Sequence, residues 1–216
     1  MHRNNAFVRF LNQYFSWLSI PYLSIILAAL PIIGLLLESM GYPRHYYMFD
    51  PSLIKMGEYW RLLALPSSMQ SMFWLIFYVL YVYYIVDALE GIWGENTLSL
   101  FVVLSYIAGV TAGFVFNQYI PIWYYVTLNV SLAFGTLFPD IEFYLYFILK
   151  VKAKWLAILA GAFLLWQMIM GSTTTKLSLL IVISPYILFL GTDVIKSQWQ
   201  NILQKQRQKR FFDDQS

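Results

Sequence analysis

The chain has 216 residues, 60% of them hydrophobic and 12% charged, with a mean hydropathy of +0.61 and a formal net charge of +3. A soluble domain carries about 25% charged residues, so this composition argues against a soluble enzyme and fits a single membrane-embedded unit with short flanks. The absence of cysteine excludes disulfides, thiolate catalysis and cysteine metal sites, and two distant histidines, His2 and His45, cannot build a zinc site unaided.

Residues 1–18 place Phe7, Phe10, Leu11, Tyr14, Phe15 and Leu18 at mostly three- and four-residue spacing, with Arg3 and Arg9 between them. This pattern predicts an amphipathic helix on the membrane surface, or equally an extension of the first span. The start lacks the features of a cleaved secretory signal and is expected to stay on the mature protein. A first apolar span covers 19–38, with Pro21 near its start and Gly34 inside; its length meets the requirement of about 20 residues. The connection 41–68 is long enough to need partial structure of its own. Two short interfacial helices are expected there, at 51–56 and 58–65, with Tyr46, Tyr47, Tyr59 and Trp60 at headgroup level.

A second span, 72–88, ends in an acidic turn from Glu90 to Glu95. The third, 97–116, carries Gly109 and Gly113, a G-x-x-x-G pair that lets a neighbouring helix approach. The four-residue connection 117–120 makes the third and fourth spans antiparallel neighbours. The fourth, 121–138, contains Thr127, Asn129, Ser131, Ala133, Gly135 and Thr136, small and hydroxyl residues suited to a central helix. The fifth, 155–170, offers Ala157, Ala160 and Gly161 for close packing. After a turn at 171–175 comes the sixth, 177–190, interrupted by Ser184-Pro185. That proline would kink the helix, and Ser184 can resatisfy the carbonyl it frees.

Six spans place both termini on one side of the membrane. Lys150, Lys152 and Lys154, the basic tail from residue 193 to 216, Arg3 and Arg9 all fall there, so the positive-inside rule makes that side cytoplasmic. The acidic 87–95 turn falls on the same side but weighs little under that rule. The expected architecture is all-α and transmembrane: a six-helix bundle over 19–192, multi-pass, in a bacterial inner membrane or, in a eukaryote, the endoplasmic reticulum. Membrane lipids, not nucleic acid, are the expected partners of the basic tail. With no P-loop or dinucleotide fingerprint, no cofactor and no metal is expected.

Three segments carry a family resemblance. The run from Gly57 through Trp60 and Arg61 resembles a G-x-x-W-R motif, and Leu89-Glu90-Gly91-Ile92-Trp93-Gly94 resembles an L-E-x-x-W/F-G turn. Leu137-Phe138-Pro139, followed by 144–155, is similar to a junction between fourth and fifth helices. In this order, over about 57–191, they resemble the rhomboid and derlin superfamily. The resemblance implies a compact six-helix rhomboid-like fold whose first external loop lies partly in the outer leaflet.

Proteases of that family use a serine in a Gly-x-Ser-Gly motif on helix four and a histidine on helix six, with asparagine and histidine on helix two serving the oxyanion. A histidine base must lie within about 2.6–3.2 Å of the serine hydroxyl. Aligning backwards from Phe138-Pro139 puts Tyr124 at the nucleophile position, flanked by Trp123 and Tyr125. There is no Gly-x-Ser-Gly, and neither histidine lies in a span. Ser131 and Ser184 read as hydroxyls bonded to helix carbonyls; Lys176 with Ser172 or Ser178 would lack an oxyanion site.

The resemblance therefore implies a catalytically inactive, pseudoprotease-like member, not an enzyme, that binds other transmembrane proteins as clients. Thr127, Asn129, Ser131 and Gln167 are candidates for client contact or for holding the bundle together. The alternatives are an intramembrane serine protease, which lacks its nucleophile–base pair, and a small-solute transporter, which would show matched broken helices in two halves. Tyr124 is expected to fill or cap the hollow left by the missing site, with the third, fifth and sixth helices around it.

Overall fold

A computed structural model of the chain describes residues 13–15, 17–66, 72–145 and 149–190. The expected amphipathic helix at 1–18 falls mostly outside these residues, and the basic tail at 193–216 falls wholly outside. The first helix, α1, spans Leu23–Ser39. The connection after it forms a short 3-10 turn at Arg44–Tyr46, a short helix α2 at Pro51–Lys55 and a second 3-10 turn at Tyr59–Leu63, close to the two interfacial helices read from the sequence. Asp50 caps α2 by accepting from the Ser52 and Leu53 amides, and Pro51 occupies its first turn, where a missing N–H costs nothing.

Met72–Phe116 runs as one helical stretch of 45 residues broken only at Gly94, whose φ of 77° and ψ of 158° leave helical space. A side chain would be strained there, whereas glycine is not. The halves are α3 (72–93) and α4 (95–116). The acidic turn expected over 90–95 thus contracts to one residue, and Glu90 and Gly91 stay helical. Then follow α5 (Ile122–Leu137), β1 (Glu142–Leu145), β2 (Leu149–Lys152), α6 (Ala153–Met170) and α7 (Thr173–Leu190). The two strands pair antiparallel, with Glu142 opposite Lys152 and Tyr144 opposite Lys150. This hairpin was not expected; the aromatic and β-branched residues of the segment favour a strand once it leaves the bundle.

Among the described residues, three helical stretches are long and apolar enough to cross a membrane: Trp74–Phe116, Ala153–Met170 and Thr173–Leu190. This supports a membrane protein. The apolar α1 and α5 are shorter, at 17 and 16 residues, or about 24–26 Å at 1.5 Å per residue. The six apolar segments expected from the sequence are therefore all helical, with three stretches meeting the spanning criterion.

Contacts define two ends. At the hinge end, Ser19 donates to Glu95 Oε2 at 3.2 Å, the Ile20 amide donates to Ser99 Oγ at 3.0 Å, and Trp93, Phe101 and Phe189 form an aromatic cluster. At the loop end, Lys55 Nζ meets Asn117 Oδ1 at 3.1 Å, and Gln118 Nε2 donates to Ser178 Oγ at 2.6 Å. Successive helices therefore alternate in direction. Ile85, Val86, Leu89, Leu98, Phe101 and Ala133 are fully buried between them.

Glycines set the closest approaches. A Cβ on Gly109 would lie 3.0 Å from Ile122, so this glycine does admit a neighbouring helix, α5. A Cβ on Gly113 would overlap the ring of Phe49, so the second half of the G-x-x-x-G pair receives a residue of the loop instead. Gly135 lies against Ala157 and the Ala153 carbonyl, joining α5 to α6. Gly161, expected to pack closely, faces open space. On α7, Ser184 Oγ donates to the Ile181 carbonyl at 2.7 Å, the carbonyl freed four residues before Pro185.

Candidate functional site

The polar residues of α5 project toward different neighbours, because successive helical residues are about 100° apart. Asn129, 2% exposed, donates from Nδ2 to the Val182 carbonyl of α7 at 2.9 Å and to Ser105 Oγ of α4 at 3.3 Å. Thr127 Oγ1 is 2.9 Å from the Tyr78 hydroxyl of α3. Ser131 accepts from Tyr81 of the same helix at 3.0 Å and donates back to the Thr127 carbonyl at 2.7 Å. Thr136 donates to the Leu132 carbonyl and lies 2.9 Å from the Tyr186 hydroxyl. Gln167 Oε1 on α6 accepts from Tyr125 at 3.3 Å. All four candidate polar residues, Thr127, Asn129, Ser131 and Gln167, thus hold hydrogen bonds inside the bundle.

The first motif organises the loop. Gly57 turns the chain with φ of 108°, and Arg61, 4% exposed, reaches back across the connection. Its Nε donates to Glu58 Oε2 at 2.5 Å, and its Nη1 donates to the His45 and Met48 carbonyls, the latter at 3.2 Å. Trp60 donates from Nε1 to the Tyr46 carbonyl at 3.1 Å and stacks on the Tyr46 ring at 5.9 Å. A planar guanidinium suits this task because its donors fan out in fixed directions. Nearby, the Tyr47 hydroxyl donates to Glu38 Oε1 at 2.7 Å, which also accepts from Arg44 Nε at 2.8 Å. Burial, then the bond to Glu38, pushes the Tyr47 hydroxyl well above the ordinary phenol range.

The other motif residues sit at the hinge end. Glu90 is half-buried, and its Oε2 has no hydrogen-bond partner among the described residues. Trp93 belongs to the aromatic cluster and Gly94 is the break between α3 and α4. Phe138 ends α5 with its ring 5.0 Å from Phe134, and the Pro139 carbonyl accepts from the Lys154 amide at 3.2 Å.

A cavity of about 220 Å3 opens at the loop end between α1, the 41–66 connection, α3 and the start of α5. Tyr124 lines its rim, 44% exposed, with its ring edge-on to Tyr125 at 5.1 Å. Tyr124 was expected to fill or cap the hollow; it stands at the border of a space that stays open. The cavity it borders is lined also by Pro31, Tyr78 and the loop, whereas Tyr125, one residue on, faces α6 and α7. Among the described residues the cavity wall carries no serine, histidine, lysine or carboxylate. The His45 carbonyl accepts from Arg61. A second, more polar space of about 140 Å3 lies between 118–125 and α7, bordered by Gln118, Tyr125, Thr175 and Ser178.

Sequence reasoning missed Phe49, Tyr78, Tyr81 and Ser105. The tyrosines lie in a continuous aromatic run, FWLIFYVLYVYY, in which no position stands out until its partner is known. No protein-family model, no curated protein and no solved structure matches the chain.

Proposed function

We propose that the chain is a catalytically inactive, rhomboid-like multi-pass membrane protein that binds transmembrane segments of other membrane proteins. The observation that carries this reading is the loop-end cavity: the residue aligned with a family nucleophile is Tyr124, on the rim of a space that no serine, histidine, lysine or carboxylate lines among the described residues. The hydroxyls deeper in α5 are engaged by Tyr78, Tyr81 and Tyr186, which supports a packing role for them. In this reading the chain crosses six times with both termini in the cytoplasm, a topology supported by the alternating helices and by the basic clusters at 150–154 and 196–210.

Client contact then falls to outward apolar surface. The outer face of α6 is the candidate: Leu159 is 69% exposed, and Gly161 leaves open space where a second backbone can come close. The test has two arms. Detergent-purified protein is treated with a fluorophosphonate and a generic transmembrane substrate, where neither labelling nor cleavage is expected. In native membranes, photo-crosslinkers at Leu159 and at Trp74, an exposed position on α3, are compared; defined protein adducts at Leu159 in excess of Trp74 are expected. Time-dependent serine labelling with cleavage overturns the inactive reading, and equal adduct patterns at the two positions overturn the α6 client face.

A further inference from the structure

We propose that the loop-end cavity holds one acyl chain of a bilayer phospholipid. This rests on the membrane-resident reading above and adds a ligand that reading does not contain. The first support is chemical. The two polar side chains in the deeper part of the wall are already committed inside the protein, with the Tyr78 hydroxyl 2.9 Å from Thr127 Oγ1 and Trp123 Nε1 donating to the Leu63 carbonyl at 3.0 Å, while the exposed Tyr119 and Tyr124 stand at the rim. A bound water needs two to four polar partners, and a polar solute needs comparable compensation. Hydrocarbon needs none.

The second support is that the wall is held independently of any occupant. Phe49, a wall residue that is 1% exposed, is wedged over Gly113 and meets Phe114 edge-on at 5.7 Å. The buried Arg61 ties down the carbonyls of His45 and Met48 just before it. A void between fixed walls forfeits the dispersion contacts of the atoms that line it. Lipid tails are as apolar as leucine, so no hydrophobic force distinguishes pocket from bilayer; filling the void is what favours occupancy. An apolar cavity of about 150 Å3 takes up benzene, and the larger space here accommodates a longer stretch of hydrocarbon.

The third support is depth. Tyr119 and Tyr124 are exposed wall residues at loop level, whereas Pro31 lies eight residues before the loop-end terminus of α1 at Ser39. Eight residues correspond to about 12 Å along a helix. The space therefore extends from the loop well down α1. A partner helix brings a bulky backbone to the rim and reaches inward only with a side chain, whereas an unbranched chain follows the depth.

The full chain is reconstituted in phosphatidylcholine vesicles doped with phosphatidylcholine carrying a diazirine near the end of one acyl chain. It is then irradiated and the adducts are mapped by peptide mass spectrometry. Adducts are expected at 119–124, Pro31 and Tyr78, besides those on the exposed face of α6. Leu65→Trp, which directs an indole into the cavity, should lower the cavity adducts several-fold and leave the α6 adducts unchanged, with circular dichroism confirming the fold. Tyr124→Trp fills the space from the opposite wall and serves the same purpose if Leu65→Trp fails to fold. Adducts on α6 with none in the cavity, or cavity adducts insensitive to a folded filler variant, overturn the acyl-chain site. Loss of adducts on α6 as well refutes the membrane reading beneath it.

Discussion

Replacing Gly113 with alanine tests how the loop is pinned to the bundle. In a helix interior, alanine is favoured over glycine by about 1 kcal/mol from backbone propensity alone, so an alanine with room around it stabilises. At Gly113 the new Cβ overlaps the Phe49 ring, which is buried and braced by Phe114. Overpacking a filled site costs about 1–3 kcal/mol, and against the propensity gain the net is a loss of up to about 2 kcal/mol. For a chain of this size each kcal/mol moves Tm by about 2–4 °C. Gly113→Ala should therefore lower the thermal midpoint in detergent by up to about 8 °C, read by circular dichroism and tryptophan fluorescence. Gly161→Ala, with nothing within 4 Å of the added carbon, is the control and should be neutral or raise the midpoint. Gly135→Ala should be worse than Gly113→Ala, because one of its neighbours is the Ala153 carbonyl of the backbone. In a double-mutant cycle, Phe49→Leu should relieve Gly113→Ala by about 1 kcal/mol. Equal midpoints for Gly113→Ala and Gly161→Ala, or strict additivity with Phe49→Leu, would refute the packing argument.

Further substitutions probe the polar contacts. Asn129→Val removes the bonds to Ser105 and the Val182 carbonyl; interhelical bonds of this kind average about 0.6 kcal/mol each in a membrane, so the midpoint should fall by a few degrees, and an unchanged midpoint counts against Asn129 as a tie between helices. Arg61→Gln should open the 41–66 connection to chymotrypsin at Tyr46, Tyr59 or Trp60 and cost about 3 kcal/mol through carbonyls left without donors. Arg61→Lys should not restore protection, because one ammonium cannot match the guanidinium fork; full protection in the lysine variant would contradict this. Ser184→Ala should cost about 1 kcal/mol in the native chain and almost nothing beside Pro185→Ala, which returns the amide that the Ile181 carbonyl lacks. Equal costs in both backgrounds would show that the serine does not serve that carbonyl.

The six helical segments were legible because length and apolar continuity are local properties of a sequence. Their limits were less so. The sixth span was read as starting at 177, yet α7 begins at Thr173, since Ser172 Oγ accepts from the Thr175 amide at 3.2 Å and acts as a helix cap. The run Ser172–Thr175 looks like a turn when only its polarity is considered. Phe49 went unnoticed for a different reason: its burial depends on Gly113, more than 60 positions away in the chain. The strand pair Glu142–Leu145 and Leu149–Lys152 escaped notice because its alternation is short and β2 contains two of the lysines already explained by topology.

The role of α5 changes most when these long-range contacts are considered together. Its polar residues suggested a central helix, and it is one: α3 reaches it through Tyr78 and Tyr81, α4 through Ser105, α6 through a link from Tyr125 to Gln167, and α7 through Val182 and Tyr186. Polar groups that bond across so many neighbours fix the register of the bundle, and each one drawn into a ligand contact would surrender a bond that holds two helices together. The surfaces proposed for binding lie elsewhere: at the first turn of α5, where Trp123 and Tyr124 border the loop-end cavity, and on the outer face of α6, which packs against α5 on one side and leaves Leu159 and Ile169 exposed on the other. A ligand can occupy either place without breaking the hydrogen bonds of the interior, and one that binds only the folded chain stabilises it by mass action.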